Sequence, residues 1–245
     1  SPTASRTPTV SFSATPSPTR TASLTPSRTP NAGVPCLAYA IVANNGQSIH
    51  NSGTLVDSYR SSLGAYGGSN RFSGGAVRAG TQIVLNGGSD IEGAQTPNAP
   101  SGLTPMPTPL AYTDLGDLNI DSDYTFTGGD YLVQSLNING NPKIRTQGGR
   151  VRIWFKGMNL AGSIGFGNGS PDDLWFFSLS NAWQVNINGS CQLTGVIFAP
   201  NIPISVSASN GVFGALVGST VTLNGDVAMH YDEMLGAGCG GSRGG

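Results

Sequence analysis

Carboxylates are the first side chains of this sequence that could carry chemistry. Asp172 and Asp173 follow Pro171 in a polar segment, where they resemble the carboxylate pair of a polysaccharide hydrolase. No further Asp stands in an equivalent place on the neighbouring repeats, and no Lys or Arg is placed as the base of a lyase. We therefore predict that the protein is not an enzyme and has no catalytic residues.

A second acidic segment suggests metal binding. It contains five aspartates within 17 residues: Asp114, Asp117, Asp121, Asp123 and Asp130. Carboxylate oxygens are ligands that Ca²⁺ prefers, but the spacing matches neither an EF-hand nor a Gly-rich calcium repeat. We interpret the segment as solvated turns and predict no metal and no cofactor.

His50 and His230 are the only histidines, and neither has a Cys, Ser or acidic residue at catalytic spacing. We predict that His230, in the segment His230–Glu233, caps one end of the fold. The chain contains no serine-hydrolase elbow, phosphate loop or dinucleotide fingerprint. Asn168 and Asn188 satisfy the N-glycan acceptor pattern, but Asn-Gly turns followed by Ser also arise from this composition.

The three cysteines fit neither a metal cluster nor a dense disulfide framework. Cys36 opens the body of the chain and Cys239 closes it, so a bridge between them would tie its two ends together. The spacing leaves open whether that bridge forms. We interpret Cys191, which lies among alternating apolar residues, as a buried free thiol.

Composition excludes several classes of function. Only 10% of the 245 residues are charged, 36 are Gly and the net charge is −1, so no basic field exists to attract nucleic acid. No apolar run reaches the length of a membrane span. The sequence begins without Met or a signal peptide, which leads us to expect a processed product at the cell surface or outside the cell.

The N-terminal 34 residues form a separate segment, here called the arm, which we predict to be extended. From Ser1 to Thr29 every odd position is Ser or Thr, and an unbroken period of two is typical of an extended chain with two different faces. Composition alone would also suit a disordered linker. The candidates for O-glycosylation are Thr3, Ser5, Thr7, Thr9, Ser11, Ser13, Thr15, Ser17, Thr19, Thr21, Ser23, Thr25, Ser27 and Thr29.

The even positions of the arm predict a docking face. The apolar anchors are Val10, Phe12 and Leu24, and the charged groups are Arg6, Arg20 and Arg28. Because the arm carries no acid, its charge is +3 and that of the remainder is −4. An extended arm reaches on the order of 100 Å, so it could cross onto a neighbouring copy and meet the acidic body there.

The body, residues 35–235, is predicted to be all-β. The pattern aliphatic, any residue, aliphatic, Asn, Gly recurs at 83–87, 136–140, 185–189 and 221–225, which indicates short strands that end in turns. Such turns are also typical of antiparallel hairpins and of a sandwich. The inward aliphatics Ile120, Ile138, Ile153, Ile187, Val206 and Leu223 recur every 15 to 19 residues outside one wider gap, which favours a single parallel β-solenoid.

Two segments carry a family resemblance. The closing stretch Gly195–Leu235, GVIFAPNIPISVSASNGVFGALVGSTVTLNGDVAMHYDEML, resembles the end of a bacterial parallel β-helix domain of unknown function found on cell-surface and pilus-associated proteins. The stretch Ile41–Ser62, with Val-Asp-Ser-Tyr at Val56–Tyr59, is similar to the opening coil of that family. The resemblance spans about 41–235 and implies a fold and a location, but no activity.

These observations predict three parts: the arm (1–34), the solenoid body (35–235) and a Gly-rich tail (236–245). We expect a subunit of an extracellular filament, a homopolymer joined by the arm and bearing covalent glycans. The alternative is a monomeric adhesin or carbohydrate-binding β-helix on a glycosylated stalk. A polysaccharide-active enzyme is a third possibility, which the missing carboxylate partners disfavour.

Overall fold

A computed structural model gives the fold of the body. It describes residues 34–99, 102–103, 105–109, 111–165, 169–179, 182–237 and 239. All the docking and glycosylation residues predicted in the arm lie outside this range. Strand makes up 53% of the described residues, and no helix among them has seven or more residues, so the prediction of an all-β chain is confirmed. The finer assignment of a parallel β-solenoid stays a prediction.

The described residues form nineteen strands and three short 3-10 turns. The first group is β1 Ile41–Ala43, β2 Ser48–His50, β3 Leu55–Tyr59, β4 Val77–Ala79, β5 Ile83–Leu85, β6 Asp90–Ile91 and β7 Gln95–Thr96. The second is β8 Thr113–Asp114, β9 Asp117–Ile120, β10 Tyr124–Ile138, β11 Lys143–Leu160 and β12 Ser163–Ile164. The third is β13 Leu174–Ser178, β14 Val185–Gly189, β15 Gln192–Ala199, β16 Ile204–Ala208, β17 Val212–Gly218, β18 Val221–Leu223 and β19 Ala228–Asp232. The 3-10 turns are Ser61–Leu63, Pro171–Asp173 and Glu233–Gly236.

The strands stack in three columns, and every pairing between named strands is parallel. Column A contains, in order, β8, the middle of β10 and of β11, β13, β15, β17, β1, β4 and β7. Column B contains β9, the ends of β10 and β11, β14, β16, β18, β2 and β5. Column C contains the starts of β10 and β11, β12, the starts of β15 and β17, β19, β3 and β6.

The order of the stack differs from the order of the sequence. Ile41 pairs with Leu216, so the N-terminal strands lie on top of the C-terminal ones and not at the start of the stack. The expectation that Ile41–Ser62 is the opening coil is therefore wrong. The stack begins at β8 and β9, and the chain returns from Thr96 to Thr113 over eight strand spacings, about 38 Å. Trp154 Nε1 anchors this connection by donating to the Pro107 carbonyl at 3.2 Å.

Inward aliphatic side chains form in-register ladders between the columns. In column B the ladder is Ile120, Ile138, Leu160, Ile187, Val206 and Leu223, all of them buried. Ile153, which we predicted in this ladder, lies in column A opposite Tyr131 and Phe176. The wider gap in the predicted ladder, between Ile153 and Ile187, contains strand as far as Leu160, and Leu160 fills the missing position. Alternation gives the spacing of inward residues but not the column to which each belongs.

A disulfide joins Cys36 to Cys239, with their Cα atoms 5.5 Å apart. Beside it, the amide of Leu37 donates to the Leu235 carbonyl at 3.2 Å, and the Tyr231 hydroxyl donates to the Leu37 carbonyl at 2.6 Å. The bridge closes a loop between residues that are 203 positions apart. Cys191 is a buried free cysteine whose pKa is raised to about 12 by burial, so its thiol is protonated in neutral solution.

We expect the double variant Cys36→Ser/Cys239→Ser to be less stable than the natural chain by about 2–5 kcal/mol, because the open chain gains conformational entropy when it unfolds. Urea unfolding followed by far-UV circular dichroism measures the difference. The variant Cys191→Ala, which also removes one sulfur but leaves the bridge intact, is the control for general effects of cysteine replacement. Equal unfolding midpoints for the natural chain and the double variant would show that the bridge does not stabilise the fold.

Candidate functional site

Asp172, the first member of the aspartate pair, holds a loop in place. Asp172 forms an ion pair with Arg150 and accepts a hydrogen bond from Trp175 Nε1 at 3.1 Å, while its own amide is capped by Ser170 Oγ at 3.2 Å. Both oxygens of the Asp172 carboxylate thus accept hydrogen bonds from side chains of the protein. This arrangement anchors the 3-10 turn Pro171–Asp173 against column A.

The second acidic segment divides into neutralised and unneutralised carboxylates. Asp130 accepts two hydrogen bonds from Arg152, at 2.7 and 2.8 Å. The amide of Lys143 and the guanidinium of Arg145 bind the Asp123 carboxylate at 2.9 and 3.2 Å, and these contacts lower its pKa. No group of three or more His, Cys, Asp or Glu side chains in the described part of the chain could hold a metal ion.

The remaining aspartates mark one open end of the stack, here called the acidic edge and defined as residues 113–121. Its strands, β8 and β9, pair with β10 on one side, and no described strand pairs with the other side. Asp114, Asp117 and Asp121 are exposed, and among the described residues no cation forms an ion pair with any of them. The acidic edge therefore combines open backbone hydrogen-bonding groups with three uncompensated negative charges.

The opposite end of the stack is chemically different. Its strands are β5, β6 and β7, which pair with β2, β3 and β4 and with no other described strand. Glu92, just after β6, is neutralised by Arg71, and Leu85 of β5 is 41% exposed. Asp90 is the exposed acid of this end. The two ends of the stack are thus chemically distinct surfaces.

A buried polar cluster fastens the N-terminal strands to the C-terminal strands. Asp57 and His230 are direct partners in the register of β3 and β19, and their carboxylate and imidazole are 2.6 Å apart. Tyr66 OH donates to Asp57 at 2.7 Å, and Arg71 Nε donates to it at 2.9 Å. Burial by itself would raise the pKa of Asp57, but the hydrogen bonds from His230, Tyr66 and Arg71 lower it overall.

His230 lies within β19, the last C-terminal strand, at an interior junction with β3. The prediction that His230 caps one end of the fold is wrong, because β3 (residues 55–59) pairs with β19 and covers it. The Tyr66 ring packs on the imidazole, with ring centroids 3.8 Å apart. Burial and the neighbouring Asp57 raise the pKa of Tyr66 to about 12. Asp57 and His230 are 173 positions apart, so local spacing gave no signal of this contact.

His50 is buried inside column B, between Leu223 and Leu85 in the register. Its Nε2 lies 2.9 Å from Ser48 Oγ, and its Nδ1 is buried with no hydrogen-bond partner in the described structure. Burial lowers the pKa of His50 from 6.5 to about 4. The imidazole is therefore neutral in the native protein at neutral pH.

The remaining predicted residues divide between described and undescribed parts of the chain. Asn188 is exposed at the end of β14, where its side chain donates to Asn159 Oδ1 at 3.2 Å. Asn168 lies outside the described residues, as do Arg6, Arg20, Arg28 and the three apolar anchors of the arm. The described part of the chain contains no helix with the length and apolar character needed to cross a lipid bilayer.

Comparison with known proteins gives one match. Residues 108–237 match a family model described as a domain of unknown function (DUF7305), which covers just over half of the chain and runs from the acidic edge to the last 3-10 turn. Residues 41–62, which carried part of the resemblance noted in the sequence, lie outside the match. No curated protein and no solved structure matches the chain. The resemblance to pilus-associated β-helix proteins stays a prediction.

The buried His50 predicts an acid-dependent loss of stability. The unfolded chain takes up a proton at this residue as the pH falls below 6.5, whereas the native chain does so only near pH 4. Stability is therefore fully present above pH 6.5 and decreases between pH 6.5 and 4. The free energy of unfolding should fall by about 2–3 kcal/mol between pH 7 and pH 4.5 from this residue alone.

We expect the variant Ser48→Val/His50→Leu to lose most of this pH dependence, because the ladder then contains only aliphatic groups at both positions. Urea unfolding at pH 7 and pH 4.5 measures it. The single variant Ser48→Val keeps the imidazole and should keep the pH dependence. A double variant that is destabilised by acid as strongly as the natural chain would assign the effect to another group.

Proposed function

Because the chain belongs to the DUF7305 family, a domain of unknown function, the family supplies no activity to transfer, and we propose from the chain's own surfaces that it is a structural subunit of an extracellular filament. In this proposal the copies form a homopolymer, and the arm of one copy docks on the acidic edge of the next. The observation that carries the proposal is the acidic edge, an unpaired parallel sheet end with uncompensated carboxylates in a chain whose arm is purely cationic.

The backbone of the acidic edge supports strand addition as the mode of docking. Outward amide and carbonyl groups of β8 and β9 have no partner strand in the described structure, and an extended segment can satisfy them. Exposed aspartates oppose pairing of this edge with an identical edge, because like charges would face one another. A segment that brings positive charge removes that penalty.

The arm is positively charged, whereas the acidic edge is negatively charged. Arg6, Arg20 and Arg28 are its only charged residues. Docking would place guanidinium groups near Asp114, Asp117 and Asp121, where each exposed ion pair contributes about 0.2–1 kcal/mol. Charge therefore selects the partner, while backbone hydrogen bonds and burial of Val10, Phe12 and Leu24 supply most of the stabilisation.

The positions of proline determine which side of the arm can pair. In an extended chain, residues of one parity direct their backbone groups to one side and residues of the other parity to the opposite side. All six prolines of the arm are at even positions: Pro2, Pro8, Pro16, Pro18, Pro26 and Pro30. The odd side therefore keeps all its amide donors, whereas the even side cannot accept a further strand. The arm is suited to be added as the last strand of a sheet.

The position of the arm favours a neighbour over the arm's own body. The arm joins the body just before β1, which is two strand spacings, about 10 Å, from the β7 end of column A and six spacings, about 29 Å, from the acidic edge. In a head-to-tail stack, the acidic edge of the next copy would be closer to the root of the arm than the acidic edge of its own body.

We propose further that the three parallel columns are a β-solenoid, as the sequence predicted, and that stacked bodies form the shaft of the filament. The in-register inward ladders support this assignment, since each residue packs on its equivalent in the adjacent strand. Glycans on the odd Ser and Thr side chains of the arm would project from the shaft and keep filaments apart. The role is non-enzymatic and extracellular. The alternative, a monomeric carbohydrate-binding adhesin, would appear as single particles in electron micrographs.

Deletion of residues 1–30 should leave a folded body that no longer forms filaments, because the acidic edge then has no strand to pair with. Negative-stain electron microscopy and light scattering measure assembly, and far-UV circular dichroism measures folding. A synthetic peptide of residues 1–30 should bind the shortened body. Filaments of normal length from the deletion variant would contradict the proposal.

The acidic edge can be tested on the same shortened body. The variant Asp117→Asn/Asp121→Asn should weaken peptide binding about twofold to tenfold at low salt. Its control is Asp90→Asn/Asp226→Asn, which makes the same change in net charge at the opposite end and on another surface. Equal weakening by both pairs would indicate long-range attraction in place of docking at the edge.

Proline parity predicts a sharper difference between single substitutions. Thr15→Pro removes a donor on the odd side and should reduce filament formation at least about tenfold, because one ladder hydrogen bond is lost and a ring faces the edge. Ala14→Pro, at the adjacent even position, should be tolerated. Thr15→Ala is the control for loss of a glycosylation site. The critical concentration for assembly measures all three, and equal effects of the two proline variants would exclude pairing through the odd side.

A further inference from the structure

A polar groove follows the outer face of column B. It consists of two adjoining cavities of about 320 and 280 Å³, which share Gln184 and Asn186. The first is also lined by Asn137, Asn159 and Trp183, and the second by Ser205, Thr220 and Thr222. Among the described residues that line the two cavities, none is charged. The groove belongs neither to the acidic edge nor to the predicted path of the arm.

The floor of the groove is a row of amides and hydroxyls in exact strand register. From one strand to the next the row is Asn137, Asn159, Asn186, Ser205 and Thr222. Their spacing is set by the parallel strands at about 4.8 Å, so the row extends for about 19 Å. Side chains of these types can both donate and accept hydrogen bonds. Asn137 Nδ2 already donates to Asn119 and Ser135, and Asn159 Oδ1 accepts from Asn188, so Asn137 offers its oxygen to a ligand and Asn159 offers its amide N–H groups.

Trp183 adds an aromatic face to the wall of the groove. Its side chain is 61% exposed, whereas Trp154 and Trp175 are buried in the core. The indole lies across Gly157, where a Cβ atom would come within 2.2 Å of the ring. Gly157 is part of β11, and because it has no side chain, the indole can lie directly against its backbone. Trp183 is held at this position by its amide, which donates to the Lys156 carbonyl at 3.1 Å.

We propose that this groove binds a neutral, linear polysaccharide that lies along the stack. Sugar hydroxyl groups are matched by side chains that donate and accept, and the C–H face of a sugar ring packs on an exposed indole. Nucleic acid would require basic groups, which the lining lacks. A peptide strand would require an open sheet edge, whereas the strands beneath the groove from β10 to β18 are paired on both sides.

The position of Trp183 makes binding directly observable in the natural chain. The buried indoles of Trp154 and Trp175 are protected from an aqueous quencher, so acrylamide quenching of fluorescence reports mainly on Trp183. The probes are cellohexaose, chitohexaose and maltohexaose, with a hexamer of galacturonic acid as the charged comparison. We expect at least one neutral hexasaccharide to protect Trp183 and to bind with a Kd on the order of 0.1–1 mM.

Two variants test the geometry. Trp183→Ala should weaken binding of that hexasaccharide at least about tenfold by calorimetry. Gly157→Ala keeps the indole in the sequence but displaces it from its seat, and it should weaken binding to a similar extent. The controls are Tyr112→Ala, which removes another aromatic residue that is 53% exposed, and Gly169→Ala, where an added Cβ atom meets nothing within 4 Å. Far-UV circular dichroism and the unfolding midpoint verify that each variant is folded.

The outcomes separate this site from assembly through the arm. Binding that is lost in Trp183→Ala and Gly157→Ala but kept in both controls and in the deletion of residues 1–30 supports the groove. Absence of binding by every neutral hexasaccharide, preference for the galacturonic acid hexamer, or equal binding by all variants would overturn it. Protection of Trp183 by the arm peptide, in place of any sugar, would also overturn it and would assign the groove to filament contacts.

Discussion

The fold depends on the stacking of the N-terminal strands upon the C-terminal strands. β1, β2 and β3 pair in parallel with β17, β18 and β19, so all three columns continue across a junction between residues that are far apart in the sequence. Without this junction, the matched family region, residues 108–237, would end in three unpaired strands with the apolar ladder open to water. Because of the junction, β5, β6 and β7 form the open end of the stack in place of β17, β18 and β19. The junction also fixes where the arm joins the body. The disulfide reinforces the same contact, because Cys36 precedes β1 and Cys239 follows the last 3-10 turn.

The polar residues of the junction favour one register over its alternatives. Apolar ladders tolerate a shift by two residues, since an aliphatic side chain again faces an aliphatic side chain. Asp57 tolerates no such shift, because a buried carboxylate without His230, Tyr66 and Arg71 would carry the full penalty of desolvation. Arg60 and Glu233, whose Nε and Oε2 atoms are 2.7 Å apart, extend the same contact to the surface. We interpret the cluster as a device for specificity, while the adjacent apolar ladders supply most of the stability.

The sequence predicted local features of this architecture better than its connectivity. Asn-Gly turns after alternating segments correctly predicted β5, the end of β10, β14 and β18, and much of the inward ladder of column B. Ile153 was assigned to this ladder in place of Leu160 because β10 and β11 each run through all three columns, without a turn that would mark the corners in the sequence. The position of residues 41–59 in the stack was mispredicted for a different reason. The residue pattern of a strand indicates which of its faces is buried, but not which other strand pairs with it. The groove beside Trp183 was not predicted from the sequence. Its aromatic wall depends on Gly157, a residue without a side chain that lies 26 positions away in the sequence.

In the proposed filament, the two unlike ends of the stack would determine how the polymer grows. An interface between the acidic edge of one copy and the opposite end of another uses two different surfaces, so every addition leaves the same two surfaces available. Such growth would be open and polar, whereas pairing of two identical acidic edges would be opposed by their aspartates. Bare stacking would place Leu85 and the exposed strands β5 to β7 near β8 and β9 without compensating charge. In the proposed filament, an arm that is rooted close to one end and carries only positive charges would pair with the acidic edge of the next copy, and the prolines on its even side would prevent a further strand from joining. The number of arms would then equal the number of acidic edges, and the proposed filament would lengthen without growing sideways.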